Sequence, residues 1–143
     1  MALHVLYQNV RGLRTKLHTF KMNVTTYSFD VIMVTESWLN EGVLDSEVVD
    51  DQYTIKRDGG GVFVIVRNGL NADRLLDFES GAEDIWLKIK VNKKNVYMCC
   101  VYIAPGNDEA YSMFVSKLES IKARIRDSDV LLICGDFNCP SLG

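Results

Sequence analysis

Two hydrophobic periodicities alternate along this chain and mark out its elements. Leu3 to Gln8 is short and mostly apolar and runs into Asn9 and Gly12, which predicts a strand ending in a loop. Leu13, Leu17, Phe20, Val24 and Tyr27 then recur at spacings of three and four, with Arg14, Lys16 and Lys21 largely off that stripe, predicting a surface helix lying on a sheet. Val31-Ile32-Met33-Val34 is continuously apolar, as in a strand covered on both faces, and ends in Thr35-Glu36-Ser37-Trp38. Residues 39 to 52 are irregular and acidic and read as a solvated loop. A strand from Tyr53 to Lys56 is expected to turn at Asp58-Gly59-Gly60-Gly61 into Val62 to Val66. Ile85, Leu87, Ile89 and Val91 alternate with Trp86, Lys88 and Lys90, and Asn92-Lys93-Lys94-Asn95 leads into Val96 to Ile103. This predicts a second hairpin, partly exposed on one face. Tyr111, Phe114, Val115, Leu118, Ile121 and Ile125 form a second amphipathic stripe, beginning near Asn107-Asp108 and ending before Asp127. Val130-Leu131-Leu132-Ile133 is the last apolar run and delivers Cys134-Gly135-Asp136-Phe137-Asn138.

With 143 residues, 48% of them apolar, the chain can bury one core and is too short for two ordinary domains. Its 16 basic and 19 acidic side chains leave a formal charge of −3, so any nucleic-acid contact has to come from a local patch. No run approaches the roughly 18 apolar residues of a membrane span, and Met1 to Val5 lacks the pattern of a signal peptide, so no membrane contact and an intracellular location are expected. Cys99, Cys100, Cys134 and Cys139 do not make a zinc pattern, because adjacent Cys99 and Cys100 would face opposite sides of a strand. They read as reduced, core-filling thiols.

The polar residues that follow the apolar runs are the candidates for chemistry. Asn9, Glu36, Tyr102, Asp136 and Asn138 all fall at predicted strand tips, and converging tips would place them in one pocket. Glu36 and Asp136 are hard oxygen donors of the kind Mg²⁺ or Mn²⁺ prefers, and such sites often use one or two carboxylates with water and a substrate phosphate. Asp136 could orient or deprotonate an attacking water, while Asn138 and the Tyr102 hydroxyl could bind non-bridging oxygens. Each residue also has a plain structural role open to it: Gly-Asp-x-Asn as an Asx-turn with Gly135 for close turning, Glu36 as a helix-start acid, Tyr102 as a sheet-edge aromatic and Asn9 as a turn residue.

The order of motifs carries a further implication. Asn9-Val10-Arg11-Gly12-Leu13, Thr35-Glu36-Ser37-Trp38-Leu39, Gly59-Gly60-Gly61-Val62, Glu83-Asp84-Ile85-Trp86, Val101-Tyr102-Ile103-Ala104-Pro105 and Gly135-Asp136-Phe137-Asn138 resemble, in sequence order, the endonuclease/exonuclease/phosphatase superfamily. The opening segment, Thr-Glu-Ser-Trp-Leu and the triple glycine look most like the endonuclease domain of insect-type non-LTR retrotransposons. The resemblance implies an α/β fold: a sandwich of two packed, mostly antiparallel sheets flanked by helices, DNase I-like, here truncated after the Gly-Asp-Phe-Asn strand. It also implies an Mg²⁺- or Mn²⁺-dependent hydrolase that nicks the phosphodiester backbone of a target-site DNA duplex, in the nucleus. Asn9 and Glu36 would then be metal-site residues, Tyr102 a phosphate contact, and Asp136 and Asn138 the pair around the attacking water.

The departures shape the remaining expectations. The family pattern continues into a second half with a terminal Asp-His pair, whereas His4 and His18 match nothing in it, so residues 1–143 are expected to be a partial domain lacking its C-terminal half and weakly active or inactive alone. The loop after Arg57 is shorter than the family's and lacks its extra basic residues. One inner sheet face is expected to stand bare and to favour self-association. Two alternatives stay open: a non-catalytic fragment that at most binds DNA or a partner, and a phosphoesterase acting on a lipid or small phosphoester.

Overall fold

The structure, a computed structural model, describes residues 2–58 and 61–138; Gly59 and Gly60 of the first hairpin turn, and Cys139, lie outside them. The elements run β1 (Val5–Asn9), α1 (Leu17–Tyr27), β2 (Val31–Thr35), a short α2 (Asp45–Val48), β3 (Tyr53–Arg57), β4 (Phe63–Arg67), β5 (Ala72–Arg74), a 3-10 turn (Leu76–Phe78), β6 (Glu83–Val91), β7 (Lys94–Tyr102), α3 (Asp108–Lys122) and β8 (Val130–Asp136). They form two four-stranded sheets, ordered β1-β2-β4-β3 and β5-β6-β7-β8. In each sheet the two outer pairings are of opposite kind: β1 with β2 and β7 with β8 run parallel, and the remaining pairs run antiparallel. The α/β sandwich implied by the sequence is the fold observed.

Alternation along each strand divides the apolar residues into three layers. Between the sheets, Val31, Met33, Val64 and Val66 of the first meet Ile85, Leu87, Ile89, Met98 and Cys100 of the second. The opposite face of the first sheet, with Ile32, Val34, Ile55, Phe63 and Ile65, is covered by Phe20 and Val24 of α1 and by Val48 and Val49. The opposite face of the second, with Trp86, Cys99 and Val101, is covered by Phe114 and Ile121 of α3 and by Phe78 of the 3-10 turn. Because the central strands are buried on both faces, their runs are continuous; all five residues of β2 are buried.

Several expectations are corrected here. The two inner faces cover each other, so no inner face stands bare for self-association. What is open is the side of the sandwich where β1 and β8 are edge strands. The first helix starts at Leu17; Leu13 is buried ahead of it in a loop whose N–H bonds to the Ser37 carbonyl at 2.8 Å. Residues 39–52 are not wholly solvated, because α2 puts Val48 and Val49 under α1 and leaves its acids outside. The second hairpin turns on Asn92 and Lys93 alone, at φ +50° and +68°, the left-handed pair of a type I′ turn, and Lys94 already belongs to β7. Its outer face is exposed only towards that turn, since Trp86 is stacked on Phe114 at 6.3 Å. Gly135 lies inside β8 rather than at a turn: a Cβ there would stand 2.0 Å from the Val101 carbonyl oxygen, so the glycine permits close approach of two strands.

Candidate active site

The stripes that fill the inter-sheet core also aim the polar residues. Val5 and Tyr7 pack into that layer, and two residues on comes Asn9. Val31 and Met33 lead in the same way to Thr35, Met98 and Cys100 to Tyr102, and Leu132 and Cys134 to Asp136. In the ladders Asn9 is opposite Thr35, and Tyr102 is opposite Asp136. Four C-terminal strand ends, two from each sheet, therefore meet above the core. The Tyr7 hydroxyl and Thr35 Oγ1, 2.8 Å apart, form the polar floor.

Asn9 is the centre of this cluster. Its Nδ2 donates to Glu36 Oε2 and, at 3.1 Å, to Asp136 Oδ2, linking one sheet to the other. Its Oδ1 accepts from the Arg11 backbone N–H at 3.2 Å, which fixes the orientation of the amide. Glu36 is placed by a second set of backbone bonds, with Val10, Gly12 and Leu13 N–H groups donating to the Thr35, Glu36 and Ser37 carbonyls at 3.1, 2.7 and 2.8 Å. Arg11, Glu36, Trp38 and Asn138 all adopt positive φ (47°, 54°, 54° and 41°), so four non-glycine residues around the cluster sit in the sparsely populated left-handed region. Such strain persists where surrounding structure enforces it, and it gathers at functional sites.

Tyr102 borders the two carboxylates. Burial, followed by the negative charges of Glu36, Asp136 and Glu83, pushes its phenol above the usual 10, so its hydroxyl stays protonated at neutral pH. Glu83, opposite Tyr102 in the β6–β7 ladder, is itself raised, first by burial and then by the charge of Asp58, with a backbone hydrogen bond from Gly61 opposing. Glu83 is a neighbour of the site that strand patterning alone does not reveal; the signal for it is its register opposite Tyr102. Asn138 departs from expectation. Its side chain donates to the Ile103 carbonyl at 2.9 Å and its N–H to Asp136 Oδ1 at 3.3 Å, so it closes an Asx-turn that holds Asp136 rather than joining Asn9, Glu36 and Tyr102.

The donor set suits a hard divalent cation. Two carboxylates meet at one neutral amide, and the ion pairs formed among the described residues (Arg57–Asp45, Arg67–Asp30, Arg74–Glu79 and Arg124–Asp77) include neither of them. No group of three or more His, Cys, Asp or Glu side chains gathers among the described residues, which still meets the need of Mg²⁺ for one or two carboxylates. The carboxylate oxygens of Glu36 and Asp136 are the available ligands. Asn9 turns its nitrogen, not its oxygen, towards them, so it acts as their clamp.

The sequence matches the model of the Endonuclease/Exonuclease/phosphatase family over residues 6–142. A search of curated proteins found no match. Among solved structures, the endonuclease domain of TRAS1, a telomere-specific non-LTR retrotransposon, is similar at a TM-score of 0.71 and 12% identity, over 98% of this chain and 61% of that one. The AP endonuclease LMAP from Leishmania major gives 0.65 and 16%, over 94% and 54%. The D. rerio TDP2 complexed with single strand DNA product gives 0.64 and 13%, over 97% and 62%. The chain thus spans between about half and two thirds of the length of these structures, and at such identities they establish the shared fold.

Proposed function

Since the chain belongs to the Endonuclease/Exonuclease/phosphatase family, we propose that its strand-end cluster is the site of a metal-dependent endonuclease that hydrolyses DNA phosphodiesters, as a non-LTR retrotransposon uses to nick its target. The observation that carries this reading is the Asn9 amide, which draws Glu36 and Asp136 to one point beside Tyr102. A divalent cation bound there by Glu36 and Asp136 would polarise a phosphoryl oxygen and stabilise the leaving oxygen. Asp136, held by the Asn9 amide and the Asn138 N–H, orients a water for in-line attack and accepts its proton. Tyr102, kept protonated by burial and by the neighbouring carboxylates, donates its O–H to a non-bridging oxygen. Nuclear location belongs to the same proposal.

The test is nicking of supercoiled plasmid by the purified chain in Mg²⁺ or Mn²⁺. Replacing Asp136 by Ala should lower the rate by about 10²–10⁴-fold, the usual worth of a positioned acid–base group. Equal nicking by wild type and Asp136→Ala would refute the assignment. A folded chain that binds the metal and nicks nothing would be a binding fragment, and hydrolysis of an inositol phosphate in preference to plasmid would move the substrate to small phosphoesters.

A further inference from the structure

Two tryptophans are treated in opposite ways by this fold. Trp86 is buried at 1% exposure and its indole N–H donates to Asp84, whereas Trp38 is 61% exposed and its indole has no hydrogen-bond partner among the described residues. Trp38 is nonetheless held firmly. Its backbone sits at φ +54°, and it follows directly on the segment stitched to residues 10–13 by three backbone hydrogen bonds. Its ring lies against Gly12, where an added Cβ would meet Trp38 Cε3 at 2.4 Å. A large apolar ring in an unfavourable backbone conformation, placed in water on a rigid support, contributes little to the core.

The surroundings of that ring specify what it fits. Trp38 borders an open cleft of about 500 Å³ lined also by Arg11, Gly12, Arg14, Thr15 and Lys16, with no acidic side chain among them. Arg11 and Arg14 are exposed and form no ion pair among the described residues, while the chain as a whole is acidic at −3. Arg11 and Trp38 each stand two residues beyond a member of the carboxylate cluster, Asn9 and Glu36 respectively. An aromatic ring flanked by basic side chains is the arrangement that stacks a nucleobase while holding its phosphates. A paired base has both faces occupied in the duplex, so only an unpaired base can present a face to the ring.

We propose that Trp38, flanked by Arg11 and Arg14, is a stacking platform for an unpaired base next to the phosphodiester bound at Asn9, Glu36 and Asp136. This inference rests on the reading of the cluster as a DNA-hydrolysing site. It assigns the chain a preference for frayed or single-stranded DNA over intact duplex. Because Trp86 is buried, Trp38 also dominates any ligand-induced fluorescence change.

The experiment is a fluorescence and anisotropy titration in EDTA, where no cleavage occurs, using a single-stranded oligonucleotide, the same strand built wholly of abasic nucleotides, and heparin as a polyanion without bases. The expected result is indole quenching by the oligonucleotide alone. Trp38→Ala should weaken oligonucleotide binding roughly 5- to 150-fold, the range for losing one stacked base, and leave heparin binding unchanged, with Trp38→Phe recovering most of it. Arg11→Ala and Arg14→Ala should each lower the salt slope by about 1. Equal affinity of wild type and Trp38→Ala, or equal quenching by the abasic strand, overturns the platform. Metal-dependent nicking run in parallel separates the two readings: nicking without stacking overturns the platform alone, and stacking without nicking overturns the hydrolase alone.

Discussion

Gly135 precedes Asp136 in the strand that carries it, and the closeness of β7 makes Gly135→Ala a measurable test of how the site is held. The added methyl would stand 2.0 Å from the Val101 carbonyl oxygen, 2.8 Å from its Cγ1 and 2.9 Å from its carbonyl carbon. Comfortable contacts lie near 3.5–4.0 Å, so β8 must move away from β7 by well over about 1 Å. The Ile103 N–H to Asp136 carbonyl bond, now 2.9 Å, would then stretch beyond hydrogen-bonding range. Overpacking of this kind costs about 1–3 kcal/mol, each broken backbone bond adds about 0.5–1.5, and the stiffer unfolded chain returns about 0.4–1. The net expectation is a loss of about 2–3 kcal/mol, seen in urea unfolding as a lower midpoint at unchanged slope. Nicking should fall with it, because Asp136 Oδ2 would move out of reach of the Asn9 amide. Gly61→Ala is the control, as its methyl would meet nothing closer than 3.6 Å. A Gly135→Ala midpoint within about 0.5 kcal/mol of wild type, the scale of an ordinary surface change, would refute the argument.

Two further outcomes test other parts of the fold. Lys93→Gly places glycine at φ +68°, where a side chain costs about 1–2 kcal/mol, and should raise stability by roughly 0.5–1 kcal/mol after the extra chain entropy of glycine; a lower melting temperature would contradict the type I′ turn. Burial raises the carboxyl of Asp84 above 3.8, with hydrogen bonds from Trp86 and Ser80 opposing and the charge of Glu79 adding to it. The folded state therefore binds this proton more tightly than the unfolded one, and the stability it contributes is complete below 3.8 and lost as pH rises through the folded value. Wild type should consequently lose ground against Asp84→Asn between pH 4 and pH 7, and parallel melting curves across that range would remove Asp84 as the cause.

Much of the architecture was legible because burial on one or both faces of a strand writes itself into a period of two. The run 5, 7, 9 and the run 132, 134, 136 put Asn9 and Asp136 on the same inner stripes as the core, so the tip residues could be named from pattern alone. What pattern could not show was set by contacts distant in sequence. Leu13 continues the helical spacing, yet the ladder to Thr35 and Ser37 holds it in a loop. Val48 and Val49 lie in an acidic segment and are buried only because α1 passes over them. Gly135 serves a neighbour 34 positions away, and the side chain of Asn138 is taken by Ile103, 35 positions away. The left-handed conformations of Arg11, Glu36 and Trp38 have no sequence signature, since none is glycine or asparagine.

The placement of the cluster couples its geometry to the least tethered strands. Asn9 belongs to β1 and Asp136 to β8, and each of these strands is paired on one side only, at the end of its own sheet. The direct hydrogen bond between the two sheets at this point is the one from the Asn9 amide to Asp136. An edge strand opens at lower free energy than a central one, so local opening at this side of the sandwich separates the carboxylates before the core unfolds. Two carboxylates that form no ion pair among the described residues also repel each other, and that repulsion favours opening. A cation binding both Glu36 and Asp136 therefore stabilises the closed arrangement by its own binding free energy. Hydrogen exchange at β1 and β8 should slow when the metal is added, and any amides of β2 and β7 that exchange only through global unfolding should slow by the same factor, because both openings break the site; unchanged exchange at β1 and β8 would refute the coupling.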